Sequence, residues 1–207
     1  GALAQGERLE RMQESSQWDK LEERFTNVLP RVRLSSFEAT WDFFFAGSAT
    51  REPETPPKVT RRRAQDFSEL PTSGLRVTWF GHSTMLLELD GTRTLIDPIW
   101  SERASPFTWA GPKRFYAPLI ALQDLPPLDA VIISHDHYDH LDSQTVKSLA
   151  ARVPLWFVPL GVGAHLNEWG IPSAKIVELD WWESHPLGEV TLTATPSRHF
   201  SGRSVTF

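Results

Sequence analysis

The stretch Ala130-Val131-Ile132-Ile133-Ser134-His135-Asp136-His137-Tyr138-Asp139-His140-Leu141-Asp142 decides how this chain folds. Its first four residues are wholly apolar and rich in β-branched side chains, the mark of a short strand buried on both faces. As a strand ends, residues two apart point to the same side, so His135 and His137 present their imidazoles to one point. Asp139 and His140 fall where the chain turns toward a helix, with Asp142 as N-cap of the pattern that starts at Ser143. Imidazole nitrogen and carboxylate oxygen in this spacing suit zinc, with manganese or iron as alternative occupants. A chance match to His-x-His-x-Asp-His in a chain this long is on the order of one in ten thousand at average composition. The competing reading, a solvated polar loop with coincidental histidines, is set aside on that ground.

Working outward, residues 75–80 and 85–89 alternate as strands, and Asp90-Gly91 is a hairpin signal leading to a third strand at 93–96, closed by Asp97-Pro98. A long aromatic and proline-bearing loop follows, at about 99–126. Beyond the central motif, helical patterns at about 143–151 and 161–169 alternate with short strands at 155–158 and 175–178. A last strand at 190–195 leads to Pro196-Ser197-Arg198-His199. Hairpin strands followed by strands alternating with helices predict an α/β layered domain over 74–207.

Residues 1–73 read as an N-terminal arm. Its first 34 residues are polar, with apolar anchors at Leu9, Met12, Trp18, Leu21, Phe25, Val28 and Leu29, and predict a surface segment with one or two short helices. Ser35 and Glu38 have capping-box spacing, and Phe37, Trp41, Phe44 and Phe45 then form one apolar helical face that Gly47 ends. Residues 48–73 are a proline-rich linker whose run Arg61-Arg62-Arg63 reads as a solvated face, with anionic lipid or phosphate binding as the alternative.

Composition bounds the function. Twenty-one Lys and Arg against 26 Asp and Glu give a net charge of −5, without the basic footprint of a dedicated nucleic-acid binder. The absence of cysteine excludes disulfides, thiolate-ligated zinc, iron–sulfur clusters and a thiol nucleophile. No apolar run reaches the ~18–20 residues of a membrane-spanning helix. The chain starts at Gly1 and carries no basic or apolar leader signature, so the cytoplasm is the expected compartment. A periplasmic or membrane-associated location is the alternative if an upstream leader is removed.

The central motif resembles the signature of the metallo-β-lactamase superfamily. Gly81-His82-Ser83-Thr84, Leu95-Ile96-Asp97-Pro98, Pro159-Leu160-Gly161, Glu178 to Glu183 and Thr195 to His199 narrow the likeness. They resemble the branch of N-acyl-phosphatidylethanolamine-hydrolysing phospholipase D, with ascorbate-6-phosphate lactonases as neighbours. The resemblance covers roughly residues 74–202. It implies an αβ/βα sandwich holding one or two Zn2+, with Mn2+ or Fe2+ as alternatives. His135, His137 and His199 match ligands of a first metal, and Asp139 and His140 match ligands of a second. Asp139 would also orient the attacking water, so it is the expected catalytic residue. The implied activity is phosphodiesterase-type hydrolysis by metal-held hydroxide, on a phospholipid-like or other small-molecule substrate, with peripheral membrane contact in prospect. A lactonase is the alternative within the same class.

Asp97 and Asp136 read as residues that support the ligands from behind. His82 reads equally as a buried hydrogen-bonding residue or a pocket wall, and His165 as an ordinary helix residue. His185 reads as a residue of the cleft mouth. Trp181 and Trp182, with Trp100 and Trp109, read either as an apolar channel for acyl chains or as simple lids. One departure stands out: in the family a second half of the fold adds a bridging Asp and a last His, and neither follows Arg203 here. The chain therefore reads as the N-terminal half to two-thirds of such an enzyme. One zinc in the three-His shell is expected, and a catalytically impaired zinc-binding fragment is the reading from a different class.

Overall fold

The computed structural model describes residues 2–29 and 53–203. The aromatic helix expected from Ser35 to Gly47, with Phe37, Trp41, Phe44 and Phe45, lies outside the described residues, as do residues 204–207. Within them the elements run α1 (Glu7–Glu14), β1 (Trp18–Asp19), β2 (Arg24–Phe25), β3 (Leu75–Gly81), β4 (Thr84–Leu89), β5 (Thr92–Ile96) and β6 (Ala130–Ile132). Then follow α2 (Ser143–Leu149), β7 (Leu155–Pro159), α3 (Gly163–Glu168), β8 (Ile176–Leu179), β9 (Ser184–Leu187) and β10 (Val190–Thr193).

Six strands form one mixed sheet in the order β3-β4-β5-β6-β7-β8, antiparallel through β5 and parallel from β5 to β8. The Asp90-Gly91 turn joins β4 and β5 with both residues at positive φ (45° and 83°), as a two-residue type I′ hairpin requires. β6 and β7 are joined through α2 and β7 and β8 through α3, while the long loop after β5 leads to β6, so the fold is mixed α/β.

The register sorts the side chains into two faces. Leu86, Leu95, Val131 and Trp156 lie opposite one another across β4 to β7 and are fully buried. They belong to a core with Phe80, Val146 and Leu149 of α2 and Leu166 of α3, which places the helices on that face. On the other face Ile96, Ile132 and Phe157 form the neighbouring row. There Ala130 and Phe157 pack with Leu187, Val190 and Leu192 of the β9–β10 hairpin. Strands β6 and β7 are thus covered on both sides. Toward the sheet edge the same face stays open: Leu75, Val77 and Trp79 of β3 are exposed.

Three sequence expectations change in detail. Strand β9 goes unpredicted because Pro186 interrupts its pattern. Proline is tolerated at the rim of a two-stranded ribbon, and Gly188 (φ 59°) makes the tight turn to β10. The last strand stops at Thr193, and residues 194–203 run on without regular structure. In the arm Leu21, Val28 and Leu29 are exposed, while Leu9, Met12, Trp18 and Phe25 are half-buried and Met12 lies against Gly161. Polar bonds fasten it too: Arg8 meets Glu178 at 2.8 Å and Asn167 at 2.7 Å, and Ala2 N donates to His165 Nδ1 at 3.1 Å.

Candidate metal centre

The interior strand β6 delivers the loop 133–142 to the C-terminal end of the parallel strands. Ile133 N still donates to Phe157 O, and the chain then turns back so that His140 N and Leu141 N both donate to His137 O. Asp142 caps α2 by accepting from Gln144 N at 3.0 Å. Its other oxygen takes Ser101 N and Thr145 Oγ1, pinning the start of the 99–126 loop. The ends of the loop are thereby fixed by backbone and buried carboxylate, and the imidazoles between them are held in place.

Two clusters result. His135, His137 and His199 each offer a ligand atom within 4.8 Å of the others, and so do His82, Asp139 and His140. The clusters touch, the rings of His135 and His140 standing 4.0 Å apart. In the first, His137 Nδ1 and His199 Nε2 face each other at 3.2 Å. His135 Nδ1 pairs with Ser134 Oγ at 2.9 Å, and its Nε2 is buried with no hydrogen-bond partner. Burial, with the neighbouring His140, His137 and His199, pushes the His135 imidazole down to about 4. His137 is lowered too, first by burial and then by His199.

Buried polar atoms are normally paired. A partnerless buried imidazole nitrogen, beside two others that face each other, is a donor set suited to a divalent cation. The residues therefore fit the implied metal. Three imidazoles favour zinc, and the oxygen donor of the second cluster also admits manganese or iron.

The second cluster is oriented from behind. Asp97, at the end of β5, is almost fully buried and accepts from Ser134 N (2.7 Å) and Ser134 Oγ (2.7 Å), while its Oδ2 lies 2.8 Å from His140 Nδ1. A carboxylate on Nδ1 fixes the tautomer and leaves Nε2 to face the site. Burial works to lower His140, but the Asp97 hydrogen bond and charge outweigh it and hold the imidazole above its ordinary value. For Asp139 burial works upward. Hydrogen bonding to its own backbone and the neighbouring His140 and His82 prevail and keep the carboxyl below the usual range.

Asp136 turns away from both clusters. It is buried, pairs with Ser201 Oγ and accepts from Gly202 N (3.2 Å), while its carbonyl accepts from Arg203 Nε (2.9 Å). Arg203, itself buried, lies over the rings of Tyr138 and Trp169. Asp136 thus fastens the segment that carries His199.

Of the remaining sequence candidates, His82 is neither buried nor a mere wall, for its side chain is 60% exposed and its Nε2 lies 2.9 Å from Asp139 Oδ2. His165 is buried on α3 and stacks on Trp169. His185 packs on Phe157 and joins neither cluster. Trp100 is half-buried, its ring packing on Phe80 and its Nε1 donating to Ile120 O at 2.9 Å. Trp181 is half-buried, while Trp182 and Trp109 are exposed. Sequence reasoning missed Asn27, whose amide holds His199, and Gly202, which lies against the His137 ring.

Comparison with known proteins shows the family. Residues 92–207 match the β-lactamase superfamily domain. An uncharacterised protein of Mycobacterium tuberculosis is 50% identical over 169 residues, 79% of this chain and 43% of the relative. N-acyl-phosphatidylethanolamine-hydrolysing phospholipase D 1 of Caenorhabditis elegans is 41% identical over 151 residues, 69% of this chain and 42% of its own length. The mitochondrial enzyme of the same description from Saccharomyces cerevisiae is 33% identical over 133 residues, 62% of this chain and 28% of its own length. The chain spans less than half the length of these relatives. A mixed α/β sheet that ends in two joined His/Asp clusters, and a match over more than half its residues, place the chain in the metallo-β-lactamase superfamily.

Proposed function

We propose that this chain carries the metal-binding face of a metal-dependent hydrolase of the phosphodiesterase type, acting on an N-acyl-phosphatidylethanolamine-like or related phosphodiester. The observation that carries the reading is the first cluster, where the partnerless buried Nε2 of His135 stands beside the facing nitrogens of His137 and His199. The phospholipase D relatives supply the substrate class. Zinc is the metal that three imidazoles favour.

His135, His137 and His199 would hold the first cation, and Asp139 and His140 face a second. A bound cation supplies a Lewis acid that activates water at neutral pH and takes up charge on a phosphoryl oxygen. Asp139, kept ionised by its surroundings, accepts a proton from the attacking water at a carboxylate oxygen and so orients it. Water adds to phosphorus and the P–O bond to the leaving alcohol breaks, giving a phosphomonoester and an alcohol. Exposed Phe107 and Trp109 lie together on the 99–126 loop and suit contact with a lipid surface. No helix among the described residues is long and apolar enough to cross a membrane.

The test is a panel on the chain loaded in turn with zinc, manganese and iron. It uses bis-p-nitrophenyl phosphate, vesicles containing an N-acyl-phosphatidylethanolamine, and a lactone. Metal-dependent phosphodiester cleavage that is lost in His135→Ala is expected. Cleavage of the lactone alone would replace the reading with a lactonase, and metal binding without turnover would leave a zinc-binding fragment.

A further inference from the structure

His82 sits in the tight turn between β3 and β4, far in sequence from the histidine motif, and nothing in its neighbours marks it as a ligand. The fold nevertheless brings its Nε2 to 2.9 Å from Asp139 Oδ2, while His140 Nε2 stands 3.7 Å from the same oxygen. We infer that His82 completes a second three-donor site with Asp139 and His140, so that this chain holds two divalent cations with its own residues.

Ligand atoms at ~2.0–2.1 Å from a tetrahedral ion stand about 3.3 Å apart. The two observed separations, 2.9 and 3.7 Å, bracket that value, and all three ligand atoms lie within 4.8 Å of one another. The donor set is two imidazoles and one carboxylate. Such a three-ligand set leaves a coordination position open for water or substrate.

The nitrogens are presented for the purpose. Asp97 occupies His140 Nδ1, so only Nε2 can face the cluster. His82 is mostly exposed and its ring stands edge-on to that of His140, with centroids 5.1 Å apart. Its backbone, by contrast, is held. His82 adopts φ 48° and Asp97 φ 42°, left-handed conformations that non-glycine residues seldom take. Trp79 Nε1 donates to His82 O at 2.8 Å, and Gly81 (φ 115°) lies where the Tyr116 hydroxyl leaves no room for a Cβ. Strain of this kind persists where the surroundings enforce it, and it clusters at functional sites.

A plainer role competes: His82 donating one hydrogen bond to Asp139 and binding nothing. Metal counting on the full chain separates the two. The protein is stripped with a chelator and titrated with Co2+ and Zn2+, following the cobalt absorption and the metal retained after desalting. Wild type should take up two equivalents in two steps. His82→Asn, which suits the left-handed backbone, should keep the first step and lose the second or weaken it at least tenfold. His135→Ala should show the converse. Saturation of the wild type at one equivalent, or an unchanged second step in His82→Asn, would overturn the inference. Should His82→Asn fail to fold by circular dichroism, imidazole 15N shifts of the wild type decide. His82 Nε2 should move on addition of the second equivalent of Zn2+, and a resonance indifferent to both equivalents would overturn the site.

Discussion

Asn27 grips the backbone of His199 from both sides: its Nδ2 donates to His199 O at 2.9 Å and its Oδ1 accepts from His199 N at 3.1 Å. The side-chain amide stands in for one rung of a β-ladder. It ties the N-terminal arm to the histidine that closes the first cluster, across 172 residues of sequence. His199 is exposed and lies in a segment without regular structure, so few other bonds fix its position.

Asn27→Ala should therefore weaken the first cation about tenfold, the lower end of what groups behind a ligand contribute. The second cluster, which does not use His199, should be untouched. Competition with a chromophoric zinc chelator reads both. An unchanged first affinity would show that Asp136 and Arg203 alone hold the segment.

Asp97→Asn tests the support beneath His140. An amide can still meet Ser134 N with its oxygen, but it can no longer serve Ser134 Oγ and His140 Nδ1 as a carboxylate does. The His140 imidazole loses the charge that raises it and the bond that fixes its tautomer. Metal affinity at the second cluster should fall by about 10–100-fold, with the first cluster little changed. Equal loss at both clusters would show instead that Asp97 holds the whole loop through Ser134.

What the sequence showed plainly was local. Alternation, the Asp90-Gly91 turn and the apolar run before Ser134 place the strands, because sheet periodicity and turn chemistry are written in neighbouring residues. His135, His137, Asp139 and His140 share one loop and were legible for the same reason. Asn27 is not, and for His82 the sequence offers a candidate without its contact to Asp139. Each reaches the clusters from a distant segment, which local spacing does not reveal. Strand β9 was hidden by Pro186, whose missing N–H matters little in a two-stranded ribbon. The docking of Trp100 on Phe80 is not written in the sequence, because aromatic loop residues look alike there whether they face solvent or pack on a core.

Gly202 has no side chain where His137 needs the space. A Cβ at that position would overlap the imidazole at Cδ2 and Nε2. Gly202 N also donates to Asp136, so the backbone cannot easily retreat. Gly202→Ala should displace the His137 ring and lower first-cluster zinc affinity by at least tenfold. The melting temperature of the metal-free protein should change by only a few degrees, since the residue itself is exposed. Zinc titration and thermal melts on the same sample check both halves.

Glu88 offers the clearest pH dependence in the fold. It is fully buried on β4 and lies between Arg76 of β3 and Arg93 of β5, with Arg76 Nη2 at 2.8 Å and Arg93 Nε at 3.0 Å. The two guanidinium groups reach on to Glu69 O and Phe67 O, so the carboxylate fastens the linker to the sheet. Burial works to raise Glu88, but the hydrogen bonds from Arg76 and then Arg93 prevail and hold it below the usual carboxylate range. A folded-state value below the unfolded one means that the unfolded chain binds the proton more readily. The stabilisation is then complete above the ordinary carboxylate range and drains away as the pH falls through the folded-state value. Glu88→Gln should cost about 2–3 kcal/mol at pH 7, less than the ~3–5 for breaking a fully buried pair because Arg76 keeps access to water. Melts of both proteins between pH 7 and pH 3 should show the gap narrowing at the acid end, as protonation makes the wild-type carboxyl resemble the amide. A gap that stays constant over that range would mean that Glu88 contributes by shape and packing, and that its charge does not stabilise the sheet.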